Sequence, residues 1–424
     1  MGLARFCAEN FEQNLNRKGV MHQMKPITVV DARMGRGKSS AAIRYMNRYK
    51  GLKRFLYITP YLKEVERICE MCDFEQPDSD HLSKSIELKG HMRKGHNIAA
   101  THSLFYLMDE EALELVRRYN YSLIIDETIE VIERFNITSK DFELIVGHLA
   151  EEHDGGLLRW LDKDYSGKFS GYKDAADTGS LFRLDSALLN IMNPYMLQAF
   201  DEVFMLTYMF DGQYQKAYLD FFGFEYNIVG VERDDDGYYF SDRPDEPPAI
   251  DYYHLINIMD KAQLNTPGDG KYALSKNWYA KRGRSDKDIK LLRRGLRNFF
   301  EGSGGNSGSR LWTCFKEEQS KLIAESGRYR NNFLQISARA TNEYRDKTDV
   351  AYMVNRFADP NVTKFFASRG IEIDQDAFAL SEMLQWIWRS AIRDDKPINL
   401  YVPSSRMREL LINWIDNTKG GRPD

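Results

Sequence analysis

A glycine-rich turn near the N-terminus has the composition of an anion-binding loop. It follows the apolar residues Ile27, Val29 and Val30, and helix-forming residues come after it. In a strand–turn–helix unit of this kind, backbone N–H groups and the helix N-terminus face a phosphate group. The sequence therefore predicts a phosphate-binding loop formed by Met34, Gly35, Arg36, Gly37, Lys38, Ser39 and Ser40.

The residue types in this loop predict ATP and Mg²⁺ as cofactors. Lys38 would reach the β- and γ-phosphates, and the Ser39 hydroxyl would bind Mg²⁺. The usual pattern G-x-x-x-x-G-K-[ST] has Ala32 in place of its first glycine. Alanine is small enough to keep the turn tight, and Gly35 supplies conformational freedom within the loop.

A pair of carboxylates, Asp126 and Glu127, follows the apolar run Leu123–Ile125. Such a run is typical of a strand covered on both faces in a parallel sheet. The carboxyl ends of these strands carry ligand-binding residues. We expect Asp126 to hold Mg²⁺, and Glu127 to position and deprotonate the attacking water. Capping of a following helix is the alternative role of the pair.

A third cluster, in the last quarter of the chain, could add positive charge to a polyphosphate site. Gln385, Arg389 and Arg393 recur every four residues, which on a helix would place them along one face. Arginine stays charged and binds phosphate oxygens in a fork. Trp386 and Trp388 would point away from that face into packing. The three clusters together predict a nucleotide cleft that closes between two domains.

Length and composition fit a multidomain α/β protein. The chain has 424 residues, enough for two or three domains, and its net charge of −4 argues against a uniformly basic nucleic-acid coat protein. No apolar run approaches the roughly 20 residues that span a bilayer, so we expect no membrane partner. Four cysteines in so long a chain indicate a reducing, cytoplasmic compartment.

One cysteine pair raises the question of zinc. Cys69 and Cys72 form a C-x-x-C pair, and His81, His91 and His96 lie nearby in the sequence. No second C-x-x-C pair follows, and the pair lies in a helical stretch. The sequence therefore favours buried or half-buried thiols over a metal site.

Alternation of strands and helices occurs twice along the chain. We expect a first domain over 1–225, an acidic, proline-broken crossing over 226–270 and a second domain over 271–424. An insertion of about 138–200 would carry helical pieces over 141–161 and from Asp185 onward. Strands are expected, among others, at 55–60, 97–105, 202–212, 310–315, 333–338 and 398–404.

Two segments could contact a polynucleotide. The basic stretch 277–300, with aromatic residues interleaved, is either a backbone-contacting surface or an ordinary charged helix face. A segment of the insertion is either a single-strand stacking surface or a solvated loop, because it alternates aromatic and basic residues. Its alternating residues are Tyr165, Lys168, Phe169, Tyr172 and Lys173.

Taken together, these segments resemble the conserved motifs of superfamily 2 helicases and translocases. In chain order, ARMGRGKSS resembles motif I, YITP motif Ia, ATHSLF motif Ib, IIDET motif II, LTYMF motif III, WTCF motif IV, ARATNEY motif V and QWIWRSAIR motif VI. More narrowly, the chain is similar to compact phage-encoded DNA helicases and distantly similar to herpesvirus-type origin-binding helicases. The resemblance implies two RecA-like P-loop domains with parallel central sheets, an ATP cleft between them and an insertion in the first.

The resemblance also implies roles for individual residues. Gln385 and Arg389 would sense the γ-phosphate, and Thr207 would couple the nucleotide site to the nucleic-acid groove. Arg393 comes one residue later than the final arginine of motif VI, a rotation of about 100° on a helix, so Arg389 is the stronger candidate for the arginine finger. Contacts to the nucleic-acid backbone would come from Thr59, Thr101, His102 and Ser103 in the first domain and from Arg339, Thr341 and Asn342 in the second.

The function implied is an ATP-dependent DNA helicase or translocase acting in phage DNA replication in the host-cell cytoplasm. Its partners would be single-stranded or forked DNA rather than RNA, together with replication proteins. The alternative is an ATP-switched remodeller or origin-recognition factor that unwinds little. A packaging ATPase fits less well because no acidic nuclease cluster follows the motor. A small-molecule kinase would not need the second-domain arginines.

Overall fold

The computed structural model describes residues 25–78, 83–245, 250–323, 329–337 and 343–418. Contacts between Cα atoms divide the chain into two units. The first unit comprises the residues up to Ala32, Gly37–Pro244 and Ala358–Ile373. The second comprises Arg33–Arg36, Asp245–Phe357 and the residues from Asp374 onward.

The first unit is an α/β structure built on a mainly parallel sheet. Its strands are β1 (Ile27–Asp31), β2 (Arg54–Thr59), β3 (Ile98–Thr101), β4 (Tyr121–Asp126), β5 (Ile132–Arg134), β6 (Ala150–Glu152), β7 (Leu158–Trp160), β8 (Leu181–Leu184), β9 (Ala187–Ile191), β10 (Glu202–Thr207), β11 (Tyr226–Asp234) and β12 (Gly237–Ser241). Within the described residues the main sheet has the order β12-β11-β1-β10-β4-β2-β3, and β12 alone runs antiparallel to its neighbour. Every residue of β4 is buried, as its continuous apolar run predicts.

Helices connect the strands of the first unit. They are α1 (Lys38–Tyr49), α2 (Leu62–Cys72), α3 (Lys84–Lys94), α4 (His102–Tyr106), α5 (Glu110–Arg118), α6 (Ser139–Leu144), α7 (Ser170–Asp177), α8 (Tyr195–Gln198) and α9 (Tyr214–Phe222). The apolar faces of α1 and α2 pack with β1 and β2 in one core, and Cys72 is a member of that core. Cys69 packs against it half-buried, so the two thiols are placed as the sequence predicts.

The insertion contains more strand and less helix than its sequence predicts. After α6 a π-helical turn at Ile145–Leu149 ends the helix, and β6 and β7 pair as a hairpin within the stretch 141–161. From Asp185 onward the chain forms β9, which pairs with β5 and β8. The helical expectation is therefore confirmed over 141–149 and 195–198 and wrong over 150–161 and 187–191. The apolar residues of the insertion pack in a small core of their own.

The aromatic residues of the expected stacking surface pack in or against that core. Phe169 is buried, the Tyr165 ring lies 5.3 Å from the Trp160 ring, and the Tyr172 ring lies 4.6 Å from the Phe135 ring. The two lysines form ion pairs with Asp141 and Asp177 respectively. These aromatic groups therefore stabilise the insertion, and the prediction of a single-strand stacking surface was wrong.

Residues 226–241 belong to the first sheet, although the sequence predicted a crossing region there. Strand β11 pairs in parallel with β1, and β12 returns antiparallel to it. The acidic run Asp234–Asp236 is the turn of this hairpin, because the Asp234 carboxylate accepts the N–H of Asp236 at 3.0 Å. Contacts assign the chain to the second unit from Asp245 onward, within the proline-broken stretch.

The second unit is also α/β. In the part of the chain that the structure describes, its sheet has four parallel strands in the order β13-β16-β15-β14. These are β13 (Ile256–Ile258), β14 (Arg310–Thr313), β15 (Asp349–Tyr352) and β16 (Ile398–Tyr401). The strand expected at 333–338 is wrong over its described part, 333–337. Phe333 makes a single bridge to Trp312, and the neighbour of β14 in the sheet is β15.

Eight further helices lie in the described residues of this half of the sequence. They are α10 (Tyr252–Leu255), α11 (Ala262–Asn265), α12 (Lys276–Ala280), α13 (Lys287–Gly302), α14 (Gln319–Leu322), α15 (Pro360–Ala367), α16 (Gln375–Ile387) and α17 (Ser405–Thr418). No described helix combines the length and the apolar character that crossing a bilayer requires.

Helix α15 packs in the first unit although its sequence neighbours belong to the second. Its Phe365 ring lies 5.8 Å from the Phe182 ring and 5.4 Å from the Phe221 ring. The two ends of this excursion are held together in the second unit by the Arg406 guanidinium, which donates to Asn355 Oδ1 and to the carbonyl oxygens of Arg356 and Gln375.

Candidate nucleotide site

The predicted phosphate loop has the expected backbone geometry. Gly35 and Gly37 have φ values of 79° and 80°, and α1 begins at Lys38. The Lys38 ammonium donates to the carbonyl oxygen of Ala32, so the side chain folds back across the loop. A 12-residue helix whose first turn follows a glycine loop presents unsatisfied N–H groups to an anion.

Gly37 is needed for steric reasons as well as for its dihedral angle. A Cβ atom built on Gly37 would lie 2.4 Å from Cγ of Tyr238, a half-buried residue of β12. Because Cγ is the near end of that side chain, the clash cannot be relieved by a small movement of the ring edge. The β11–β12 hairpin thus packs against the start of α1, which the sequence did not reveal.

We expect Gly37→Ala to lower the free energy of unfolding by roughly 2–5 kcal/mol, since about 1–2 kcal/mol comes from the left-handed backbone and a further ~1–3 kcal/mol from overpacking. Gly35→Ala is the matched control, because its φ is nearly the same and a Cβ there meets nothing closer than 3.5 Å. Chemical denaturation without nucleotide compares the two variants. Equal losses would contradict the steric argument, and Tyr238→Ala should restore only the steric part in Gly37→Ala.

The Asp126 carboxylate lies directly beside this loop. Its Oδ2 accepts hydrogen bonds from the Ser39 hydroxyl at 3.1 Å and from the Tyr57 hydroxyl at 2.5 Å. Burial, reinforced by the nearby charge of Glu127, raises the pKa of Asp126 to about 6. The structure therefore brings together the hydroxyl and the carboxylate that the sequence predicted as Mg²⁺ ligands.

These two groups fit a magnesium ion. Oxygen ligands at about 2.05 Å on adjacent corners of an octahedron are about 2.9 Å apart. Ser39 Oγ and Asp126 Oδ2 are 3.1 Å apart, so both atoms can bind one ion with little movement. Bound there, Mg²⁺ would neutralise charge on the phosphates of a nucleotide.

Glu127 has an unusual backbone conformation. Its φ is 65°, in the left-handed region that is uncommon for residues other than glycine. Its N–H donates to the carbonyl oxygen of Leu206 at 3.2 Å, which fixes the turn after β4 to the end of β10. Strained backbone of this kind is concentrated at functional sites.

The loop after β10 is tied to the phosphate loop by the predicted coupling residue Thr207 and by Asp31 and Gln213, which the sequence did not reveal. The Asp31 carboxylate accepts the N–H groups of Met209 and Phe210 at 2.8 and 3.0 Å, and burial raises its pKa. The Thr207 hydroxyl donates to Gln213 Oε1 at 2.8 Å, and the Thr207 carbonyl accepts the N–H of Ala32. Thr207 is thus buried next to the phosphate loop.

Three of the four residues of the first unit that we expected to contact a polynucleotide are instead buried or hydrogen-bonded within the unit. Thr59 and His102 are buried, and the His102 Nε2 atom lies 3.0 Å from the Asp126 carbonyl oxygen. The Thr101 hydroxyl caps α4 by accepting the N–H of Leu104, while Ser103 is exposed. The remaining three residues, Arg339, Thr341 and Asn342, lie outside the described residues.

The arginine cluster does not lie along one helical face. Helix α16 ends at Ile387, so it contains Gln385, whereas Arg389 lies in the following turn and Arg393 in a short 3₁₀ helix. Arg389 is 7% exposed. Burial raises the pKa of Tyr352, and the positive charge of the nearby Arg389 opposes this rise only in part. Trp386 and Trp388 are buried as predicted.

The basic stretch 277–300 is split between α12 and α13. One face of α13 is apolar and buried, including Ile289, Leu292 and Leu296. The opposite face exposes four cations spaced three or four residues apart: Lys287, Lys290, Arg294 and Arg297. In the preceding loop Arg284 instead donates to the carbonyl oxygen of Ile323 at 2.8 Å.

Sequence reasoning missed Asp31, Tyr57, Gln213 and Tyr238. Two signals were available. Asp31 is a carboxylate at the end of an apolar strand, as Asp126 is. Tyr57 is a polar group inside an apolar strand, and a buried tyrosine hydroxyl needs a partner. Gln213 and Tyr238 carried no such signal, because their roles depend on which strands become neighbours.

Comparisons with known proteins agree with this architecture. The chain is 38% identical over 416 residues to the SPbeta prophage-derived protein YonV of Bacillus subtilis (strain 168), and the match covers 93% of this chain and all of that protein. The profile of the YonV C-terminal Rossmann-like domain matches residues 250–415.

A solved XPD helicase structure is similar with a TM-score of 0.51 at 11% identity, covering 93% of this chain and 95% of that one. An apo XPD structure gives 0.50 at 13% identity, covering 91% and 95%. The chain therefore has an α/β fold with parallel-strand sheets that matches these two-lobed helicase structures.

Proposed function

This chain belongs to the family of the prophage-derived protein YonV, and we propose that it is an ATP-driven DNA helicase or translocase encoded by a phage. The observation that carries the proposal is the 3.1 Å hydrogen bond between Ser39 and Asp126. It joins the glycine loop to the carboxylate strand, which are the two parts that a hydrolytic nucleotide site requires.

The residues of the site have distinct roles in this proposal. Lys38 exchanges the Ala32 carbonyl for the β- and γ-phosphate oxygens. Glu127 orients the attacking water and accepts its proton. Asp31 and Thr207 are positioning residues, since they connect the phosphate loop to the loop after β10 and so could transmit the state of the nucleotide.

The second lobe would contribute the groups that respond to the γ-phosphate and to the polynucleotide. We assign Arg389 the finger role, with Gln385 and Arg393 as secondary contacts. The exposed cationic face of α13 would bind phosphate groups of DNA without reading its sequence. Alternating grip by the two lobes would move the strand, in phage replication or a related process.

Strand displacement on tailed duplexes tests the proposal. We expect ATP- and Mg²⁺-dependent displacement, and ATP turnover that rises when single-stranded DNA is added. Lys38→Ala should abolish both activities. Arg389→Ala should lower turnover by about 10³-fold or more, whereas Arg393→Ala should have a smaller effect.

The substrate set separates the alternatives. Duplexes with 3′ or 5′ tails of DNA and of RNA give polarity and sugar preference in one experiment. Turnover without displacement would favour an ATP-switched remodeller. No turnover on any polynucleotide would overturn the proposal.

A further inference from the structure

Three potential metal-binding side chains converge on the β3 edge of the first sheet, away from the phosphate loop. They are Glu75, His91 and His96, and one donor atom from each lies within 4.8 Å of the others. The cysteine pair considered in the sequence analysis is not part of this cluster, since Cys72 belongs to the apolar core and burial raises the pKa of both thiols to about 11. His81 lies outside the described residues.

The backbone holds these three residues in place. His91 lies in the last turn of α3, and the N–H of His96 returns to the His91 carbonyl oxygen at 3.2 Å, so the helix end sets their separation. Glu75 pairs with the chain beside His96, because its N–H donates to Asn97 and its carbonyl accepts from Ala99, both at 2.9 Å. The Tyr121 hydroxyl donates to the His96 carbonyl oxygen at 2.6 Å.

The distances fit a tetrahedral ion. Two ligand atoms about 2.05 Å from Zn²⁺ at the tetrahedral angle are about 3.3 Å apart. The two Nδ1 atoms of His91 and His96 are 3.2 Å apart, and a Glu75 carboxylate oxygen lies 3.8 Å from His96 Nδ1. The Glu75 side chain is 52% exposed, so a small rotation can shorten that distance.

Two basic residues of α3 close to the cluster have acidic partners. The nearby basic residues Lys89 and Arg93 form ion pairs with acidic residues of α5 and its N-cap, Asp109 and Glu111. Their positive charge is therefore largely neutralised. The carboxylate of Glu75 supplies the negative charge that a divalent ion prefers.

We propose that Glu75, His91 and His96 form a zinc-binding site whose fourth position is taken by water. A bound ion would connect the end of α3 to the edge of the main sheet, next to β3. The site is independent of the phosphate loop, so it can be tested whether or not the chain is a helicase.

Zinc titration of the full-length chain, purified without a polyhistidine tag and stripped with a chelator, tests the proposal. We expect saturable binding of one Zn²⁺ per chain and increased thermal stability on binding. His91→Gln and His96→Gln should each weaken binding at least about tenfold. The matched control is His148→Gln, which changes an exposed histidine of the first unit outside the cluster.

Substitution by Co²⁺ identifies the donor atoms in the unaltered chain, so the result does not depend on a variant folding. Four-coordinate d–d absorption without thiolate charge-transfer bands would support two nitrogens and a carboxylate. Three results would overturn the proposal: thiolate bands, loss of zinc binding in Cys69→Ser, or a zinc affinity that neither histidine variant changes. If no zinc binds, the short Nδ1–Nδ1 distance is an ordinary hydrogen bond between the two rings.

Discussion

Replacing Glu127 with glutamine is expected to abolish ATP turnover while leaving ATP binding intact. The amide keeps the size and hydrogen-bonding reach of the carboxylate but cannot accept the proton of the attacking water. Loss of a general base typically costs 10²–10⁴-fold in rate. The φ of 65° at this position costs glutamine and glutamate a similar conformational free energy. The stability of the protein should therefore change little, so a loss of turnover reports on the catalytic step.

Single-turnover hydrolysis and equilibrium nucleotide binding measure these two effects separately. Glu130→Gln is the matched control, because Glu130 is an exposed glutamate that lies only three residues after Glu127. Both hydrolysis and nucleotide binding should be unchanged in this variant. Unaltered hydrolysis in Glu127→Gln would exclude Glu127 as the base. If the variant binds ATP and DNA but loses displacement, the motor interpretation is supported, whereas a switch would retain its output.

Replacing Asp126 with asparagine is expected to have two opposite effects. Hydrolysis and Mg²⁺-dependent binding should be lost, because the amide is a poor ligand for the ion. The protein free of Mg²⁺ should nevertheless become more stable at pH 7.5. The difference between pKa values of 3.8 and about 6 corresponds to a cost on the order of 3 kcal/mol for the ionised form. The hydrogen bonds that Ser39 and Tyr57 donate to the Asp126 carboxylate reach one oxygen, Oδ2, so the asparagine carbonyl oxygen can accept them.

The sign of the pH dependence follows from the raised pKa. Between about pH 4 and pH 6 the unfolded carboxyl ionises while the folded one keeps its proton, so this group lowers stability as the pH rises. Above about pH 6 the folded carboxyl is ionised as well, and the stability no longer falls with pH because of this group. The advantage of Asp126→Asn should therefore be about half as large at pH 5 as at pH 7.5.

Hydrogen exchange of the β4 amides in the presence of a chelator measures this stability within the first unit. Asp164→Asn, at an exposed aspartate of the insertion, is the control and should show no comparable pH-dependent gain. A variant less stable than the parent at pH 7.5 would contradict the burial argument.

The approach of the glycine loop to the carboxylate strand end was predictable because it depends on local sequence. A glycine turn before Lys38 and Ser39, and an apolar run before Asp126 and Glu127, specify the two strand ends directly. In a parallel sheet the carboxyl ends of the strands lie at one edge, so the approach of Ser39 to Asp126 follows once both runs are strands.

The arginine cluster shows where this reasoning fails. Spacing by four residues indicates a common face only if the helix continues, and α16 ends at Ile387, before Arg389 and Arg393. Helix ends depend on packing and capping, and are not set by periodicity alone. The prediction for the insertion failed for a related reason. A short apolar segment is compatible with either a strand or a helix, and its neighbours in the fold decide between them.

The sequence by itself determined the α/β class and the residue types of the glycine loop and of the carboxylate strand end, because each is encoded within a few consecutive residues. Only the tertiary structure decided that Tyr238 packs on Gly37, that Asp31 holds the loop after β10, that α15 packs in the first unit and that Glu75 meets two histidines. These contacts join segments far apart in the chain, and their geometry is set by strand order and side-chain packing rather than by any local pattern.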